Sequence, residues 1–256
     1  SRSKPTAFSF HVSQHHTMGL CCSPATFLSW SLFGLVTLDA FKLLDVGAPR
    51  TGTQSMYDAM KILNLNPVHS GYQSELRPAL CEYLFRNGSL DDALGVLDGY
   101  DAAMDEPVML MYEEIMAAFP EAKFLLTISD AESWYENYAK MERFLTTYHS
   151  QLLHEKFDAL PPECKALTFW GCRFLNSTQK DKDICLRNYH RHNQRVQEVI
   201  PPERLLVYNW SDGWAPLAHF LDVAIPAQDF PHEDKVNEKH TEREQIRGNP
   251  SALETS

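Results

Sequence analysis

One stretch constrains the fold more than any other: residues 41–65, FKLLDV followed by GAPRTGTQS and then MYDAMKILNL. The first run reads as a short buried strand, and the last carries apolar residues at helical spacing. Between them lies a loop with two glycines, several hydroxyls and one arginine. A helix N-terminus leaves backbone N–H groups unpaired and carries partial positive charge, so a loop that wraps back over it forms a cradle for phosphate oxygens. Gly47 and Gly52 permit the tight path, Thr51, Thr53 and Ser55 offer hydroxyls, and Arg50 offers a cation. As a nucleoside triphosphate site the loop is incomplete. Thr53 stands where a Walker lysine is needed, and Gln54 where the magnesium-binding hydroxyl is needed.

The rest of the chain repeats the alternation. Residues 123–128 (KFLLTI) and 204–208 (RLLVY) read as further strands. Helical patterns cover residues 74–97 with a break at Asn87-Gly88, 107–119, 130–148, 181–199 and 214–221, while residues 151–178 are aromatic-rich and irregular. Strands alternating with helices predict an α/β domain, P-loop nucleotide-binding-like, three layers α/β/α around a mainly parallel sheet. The expected organisation is an N-terminal extension at 1–40, this domain at 41–232, and a polar tail at 233–256.

Charge restricts the partners. With 34 acidic and 23 basic residues the formal net charge is -11, which argues against nucleic acid as a partner and against anionic membranes through net charge. An anionic co-substrate needs a local site. The six cysteines show no zinc-like spacing and are expected to be reduced structural thiols. Sequons at Asn87, Asn176 and Asn209 matter only in a secretory lumen. Residues 5–38 contain no Asp, Glu, Lys or Arg. Three readings of this region stand open: a packed or poorly ordered extension, an apolar membrane anchor at residues 17–38, and a lipidated start at Met18-Gly19-Leu20-Cys21-Cys22-Ser23. A cytoplasmic location is slightly favoured over a membrane-associated one.

The loop GAPRTGTQS is similar to the GxPRTGTxS loop of the sulfotransferases, in the branch with a PRTGT signature. The likeness continues in family order through NPVHSGY, YDAAMDEP, KFLLTISDAESWYENY, RLLVYNWSDGWAPLAHFL and DFPHEDKVNE, covering about residues 41–238. The resemblance implies 3′-phosphoadenosine-5′-phosphosulfate as co-substrate, no metal, and a hydroxyl or amine acceptor on a small molecule or a saccharide. It implies that Gly47, Pro49, Arg50, Thr51, Gly52, Thr53, Gln54 and Ser55 hold the 5′-phosphosulfate, and that Arg50 neutralises charge developing on the bridging oxygen. Tyr208 would lie beside the adenosine, and Asp105 would be the base, with His69 a second candidate. Asp105 also reads as a cap for the helix after Pro107.

One motif departs from the family. Where the second nucleotide motif carries an Arg and a Ser that grip the 3′-phosphate, this chain has Ser129 and Asn137. Arg187, Arg191, Arg195 and Lys235 are the candidate replacement cations. Loss of a charge-assisted contact of this kind costs on the order of 1.5 to 3 kcal/mol. The alternative reading is therefore a catalytically impaired sulfotransferase-like protein that binds a nucleotide or a partner. His190 and His192 sit on different helix faces, which argues against a metal site there.

Overall fold

The computed structural model describes residues 41–71, 73–148, 164 and 170–232. The readings made for residues 1–40, most of 151–178 and 233–256 lie outside the described residues. Strands β1 (Leu43–Asp45), β2 (Pro67–His69), β3 (Ala102–Met104), β4 (Lys123–Thr127) and β5 (Leu205–Tyr208) form one sheet in the order β2-β3-β1-β4-β5, every pairing parallel. The helices are α1 (Thr53–Ile62), α2 (Arg77–Arg86), α3 (Leu90–Gly95), α4 (Tyr112–Ala118), α5 (Ala131–Tyr148), α6 (Gln179–Val199) and α7 (Trp214–Leu221).

The apolar runs explain the layers. Successive side chains on a strand point to opposite faces, and a parallel sheet covered on both faces needs apolar residues on both. Leu44, Ala103, Phe124 and Leu126 pack with Leu80, Ala93, Ile115 and Val196 from α2, α3, α4 and α6. Leu43, Met104 and Leu125 pack on the other face with Met56, Met60, Trp214 and Leu217 from α1 and α7. Side chains such as Phe124 and Leu125 are fully buried, each worth about 1.5 to 3 kcal/mol. A third cluster joins α5 to α6, where Trp134 stacks on Tyr189 at 4.3 Å between ring centroids. The expected three-layer α/β/α architecture is thus present.

From β1 the chain first fills one side of the sheet, with β2 at the edge and β3 between, and then crosses to the other side for β4 and β5. At such a reversal, ligands bind outside the carboxyl ends of the strands. The loop after β1, the turn after β3 and the segment after β4 all emerge at this edge.

Local chemistry sets the helix ends. A reciprocal capping box between Thr178 and Asp181 starts α6. Helix α1 is different: Gly52 at its N-cap makes no side-chain cap bond, and its first turn holds no acidic residue.

The cysteine expectation is corrected. Cys81 pairs with Cys164 and Cys172 with Cys185, their Cα atoms 5.9 and 4.6 Å apart. Disulfides need their Cα atoms within about 7 Å, a proximity that separations of 83 and 13 residues do not reveal in sequence.

Candidate active site

The loop between β1 and α1 is held by buried groups from three other elements. Asp45 is completely buried, and its Oδ1 accepts the Gly47 N–H at 2.9 Å. Thr127 Oγ1, at the end of β4, lies 2.9 Å from the same oxygen and 2.7 Å from Thr51 Oγ1. From α5, Trp134 Nε1 donates to Pro49 O at 2.8 Å. From α6, His192 Nε2 meets Val46 O at 2.7 Å, and since a carbonyl only accepts, that nitrogen carries the proton. Burial holds the His192 imidazole below its ordinary pKa, with the Val46 carbonyl opposing. The sequence signals Arg50 and the glycines but not the braces from Trp134 and His192.

Removing one brace gives a measurable cost. Trp134→Phe keeps an aromatic ring against Tyr189 but leaves Pro49 O without its donor in a dry interior. Urea unfolding is expected to show a loss of about 1 to 3 kcal/mol, and an unchanged midpoint would refute the brace.

Inside the loop the predicted residues divide. Thr51 is fully buried, and its hydroxyl is 2.6 Å from Ala48 O, so it shapes the loop from within. Gln54 Nε2 donates to Asp58 one helical turn on. Thr53 and Ser55 lie at the uncapped start of α1. Arg50 takes a left-handed backbone with φ 71° and is half-buried. Among the described residues it is the one positive-φ side chain that is neither glycine nor Asn or Asp.

Next to the loop lies a second cluster. Asp105 follows β3 in a left-handed conformation, φ 74°, just before the cis Glu106–Pro107 peptide. Its Oδ2 accepts the Thr53 hydroxyl at 3.0 Å and is 3.2 Å from His69 Nε2; its Oδ1 accepts the Glu106 N–H at 2.6 Å. His69 ends β2, and its Nε2 is also 3.2 Å from Thr53 Oγ1. The two candidate bases are therefore neighbours joined through a loop residue. Burial lowers the His69 pKa from its ordinary value, and the Asp105 charge opposes that shift. Beneath them Arg77 is buried, donating to Ser70 O at 3.1 Å and lying 3.5 Å from Glu106 Oε1.

The remaining predicted residues sit along the same edge. Ser129 follows β4; its N–H donates to Tyr189 Oη at 3.1 Å, and its carbonyl accepts from that hydroxyl at 3.0 Å. Asn137 is half-buried on α5. Tyr208 is buried at the end of β5, its hydroxyl donating to Gly213 O at 2.9 Å and its ring against Phe230. Of the replacement cations, Arg195 pairs with Glu113 at 3.2 Å, Arg187 and Arg191 are exposed on α6, and Lys235 lies outside the described residues.

Among the described residues no group of three His, Cys, Asp or Glu side chains is placed to hold a metal, and no helix is long and apolar enough to cross a membrane. A shallow depression lined by Tyr57, Lys61, Asn66 and Asp101 lies at the other edge of the sheet and contains none of the candidate residues.

The chain is 29% identical over 214 residues to the Ava biosynthesis cluster protein M of Aspergillus versicolor, covering 75% of this chain and 80% of that protein. A solved sulfotransferase from Alicyclobacillus acidocaldarius aligns with 79% of this chain and 90% of its own, at 16% identity and a TM-score of 0.38. Residues 42–239 match the family described as the sulfotransferase domain, and with more than half its length matched, this chain belongs to that family.

Proposed function

We propose that the protein transfers a sulfuryl group from 3′-phosphoadenosine-5′-phosphosulfate to a hydroxyl or amine of a small-molecule or saccharide acceptor. One observation carries the reading: Asp105 and His69 meet at Thr53, so a pair of candidate bases is joined to the first residue of the helix whose N-terminus faces the loop. An anion at the start of α1 is supported by the absence of a side-chain cap bond at Gly52 and of an acidic residue in the first turn. Membership of the family supports transferase chemistry in general.

The donor supplies an activated sulfuryl group. In this reading, the acceptor oxygen or nitrogen forms a bond to sulfur as the bond from sulfur to the bridging phosphate oxygen breaks. Arg50 and the N-terminal amides of α1 stabilise the charge left on that oxygen. Asp105 takes the acceptor's proton. Its three donors, the Glu106 N–H, Thr53 and His69, keep the carboxylate aimed. Neutral His69 positions it. The left-handed backbone at Arg50 supports the assignment, since strain of this kind, about 1 kcal/mol, collects at functional sites. Thr51 and Gln54 act on the loop's shape, and Thr53 and Ser55 on the ligand side.

The test is transfer of labelled sulfate to a panel of hydroxylated and amine acceptors. Asp105→Asn is expected to lower kcat by roughly a hundredfold or more with little change in donor affinity. Absence of turnover by the wild type across a broad panel would refute the reading.

A second reading, a nucleotide-binding protein without turnover, draws on Ser129. Its backbone is occupied by Tyr189, and Asp130 beside it is held below its ordinary pKa by the Ser133 hydrogen bonds, so it stays anionic. Calorimetry separates the two readings. A transferase binds 3′-phosphoadenosine-5′-phosphate far more tightly than adenosine 5′-monophosphate, whereas the alternative shows no preference.

A further inference from the structure

The hydrogen bonds beneath the loop can be counted proton by proton. Thr51 Oγ1 lies 2.6 Å from Ala48 O, and a carbonyl can only accept, so Thr51 spends its one proton there. Thr127 Oγ1 lies 2.7 Å from Thr51 Oγ1, so Thr127 must donate to it and spends its own proton. Thr127 Oγ1 is also 2.9 and 3.2 Å from the two oxygens of Asp45, and one of those contacts now needs the proton of the carboxyl group. Oδ1 already accepts the Gly47 N–H at 2.9 Å, so the proton belongs on Oδ2.

We propose that Asp45 is the positioning residue of the phosphate loop, acting in its protonated form as the first donor of a relay through Thr127 and Thr51 to the carbonyl of Ala48. Ionisation reverses the relay. Thr127 then donates to Asp45, Thr51 donates to Thr127, and Ala48 O loses the hydroxyl that clasps the loop, keeping only the Thr51 N–H at 3.2 Å. No bond is made or broken except the O–H bond of Asp45, whose proton passes to solvent.

The surroundings agree. Burial raises the Asp45 pKa to about 7, against the pull of the Gly47 and Thr127 hydrogen bonds. The titratable and charged groups nearby are Asp105 from the β3 turn, which opposes a second negative charge, and His192 from α6 at Val46 O. The folded pKa stands above the unfolded value of 3.8, so stability from the protonated acid is complete below that value and is lost as pH rises through about 7.

Three proteins test this: wild type, Asp45→Asn and Asp45→Ala. Asparagine offers the same acceptor to Gly47 and an N–H to Thr127, but cannot ionise. Between pH 5 and 7 the wild-type folding constant, measured by urea unfolding, is expected to fall relative to Asp45→Asn by up to about tenfold per pH unit, then level off. Asp45→Ala is expected to be destabilised at every pH. All eleven histidines remain in all three proteins, so their titration cancels in the comparison. The proposal is overturned if Asp45→Asn is as unstable as Asp45→Ala at pH 5, or if wild type and Asp45→Asn run parallel across the range.

A second arm rests on the nucleotide reading above and uses 3′-phosphoadenosine-5′-phosphate in calorimetry. Wild-type affinity should fall across pH 7 while that of Asp45→Asn stays level; identical pH profiles overturn the positioning role. If the nucleotide binds none of the proteins while the stability pattern holds, the relay stands and the nucleotide reading falls.

Discussion

Arg50→Ala is expected to lower sulfuryl transfer by roughly a hundred- to a thousandfold in kcat, the cost of removing one preorganised charge from the leaving oxygen. Arg50→Lys should recover only part of this, because a lysine supplies a point charge and not a planar fork of donors. Arg50→Gly separates catalysis from folding. The residue sits at φ 71°, a conformation that costs an ordinary side chain about 1 kcal/mol and a glycine almost nothing. The glycine variant should therefore be as inactive as the alanine variant and more stable than it by about 1 kcal/mol. A glycine variant that keeps its activity would remove Arg50 from the catalytic role. Single-turnover transfer and thermal unfolding, run on the same preparations, decide between these outcomes.

Gly47→Ala is expected to cost roughly 3 kcal/mol of stability, a fall of about 6 to 12 °C in melting temperature for a domain of this size. A Cβ at position 47 would overlap Thr127 Oγ1 and lie 2.5 Å from Thr127 O and 2.9 Å from Thr127 N. The clash is with the backbone of β4 as well as with a side chain, and β4 is clamped between β1 and β5. Thr127→Ala in the same molecule should consequently fail to rescue the fold, although it removes the nearest atom. Recovery to within about 0.5 kcal/mol of the Thr127→Ala single variant would show that the glycine is required only by the hydroxyl.

Much of this arrangement was legible in the sequence. The unit from β1 through the loop to α1, strand β4, and helices α5, α6 and α7 follow from apolar runs, glycines and helical spacing, with ends within three residues of those observed. Strands β2 and β3 were not legible. Each is three residues long, PVH and AAM, too short for any period, and they become strands by pairing in parallel with their neighbours. Of the candidate site, Asp105 and His69 stood out by resemblance alone, and their contact through Thr53 required the fold.

Asp45 carried a readable signal. It is an acidic residue inside FKLLDV, and a strand buried on both faces gives a carboxylate no route to water. Trp134 and His192 carried none. A tryptophan among apolar helix residues reads as core, and only tertiary geometry aims its indole N–H at Pro49 O. Likewise, only the placement of α6 against the end of β1 turns a histidine into a clasp on Val46 O.

The bond from Trp134 to Pro49 has one more consequence. It rivets the loop to α5, the helix that begins just beyond Ser129 and carries Asn137. The two ends of the proposed nucleotide surface are thereby mounted on one frame, which acts as a ruler: a ligand is measured by its span before it is read by its charge. Evolution, or an engineer, can then change what is recognised at position 129 without recalibrating the distance to the loop.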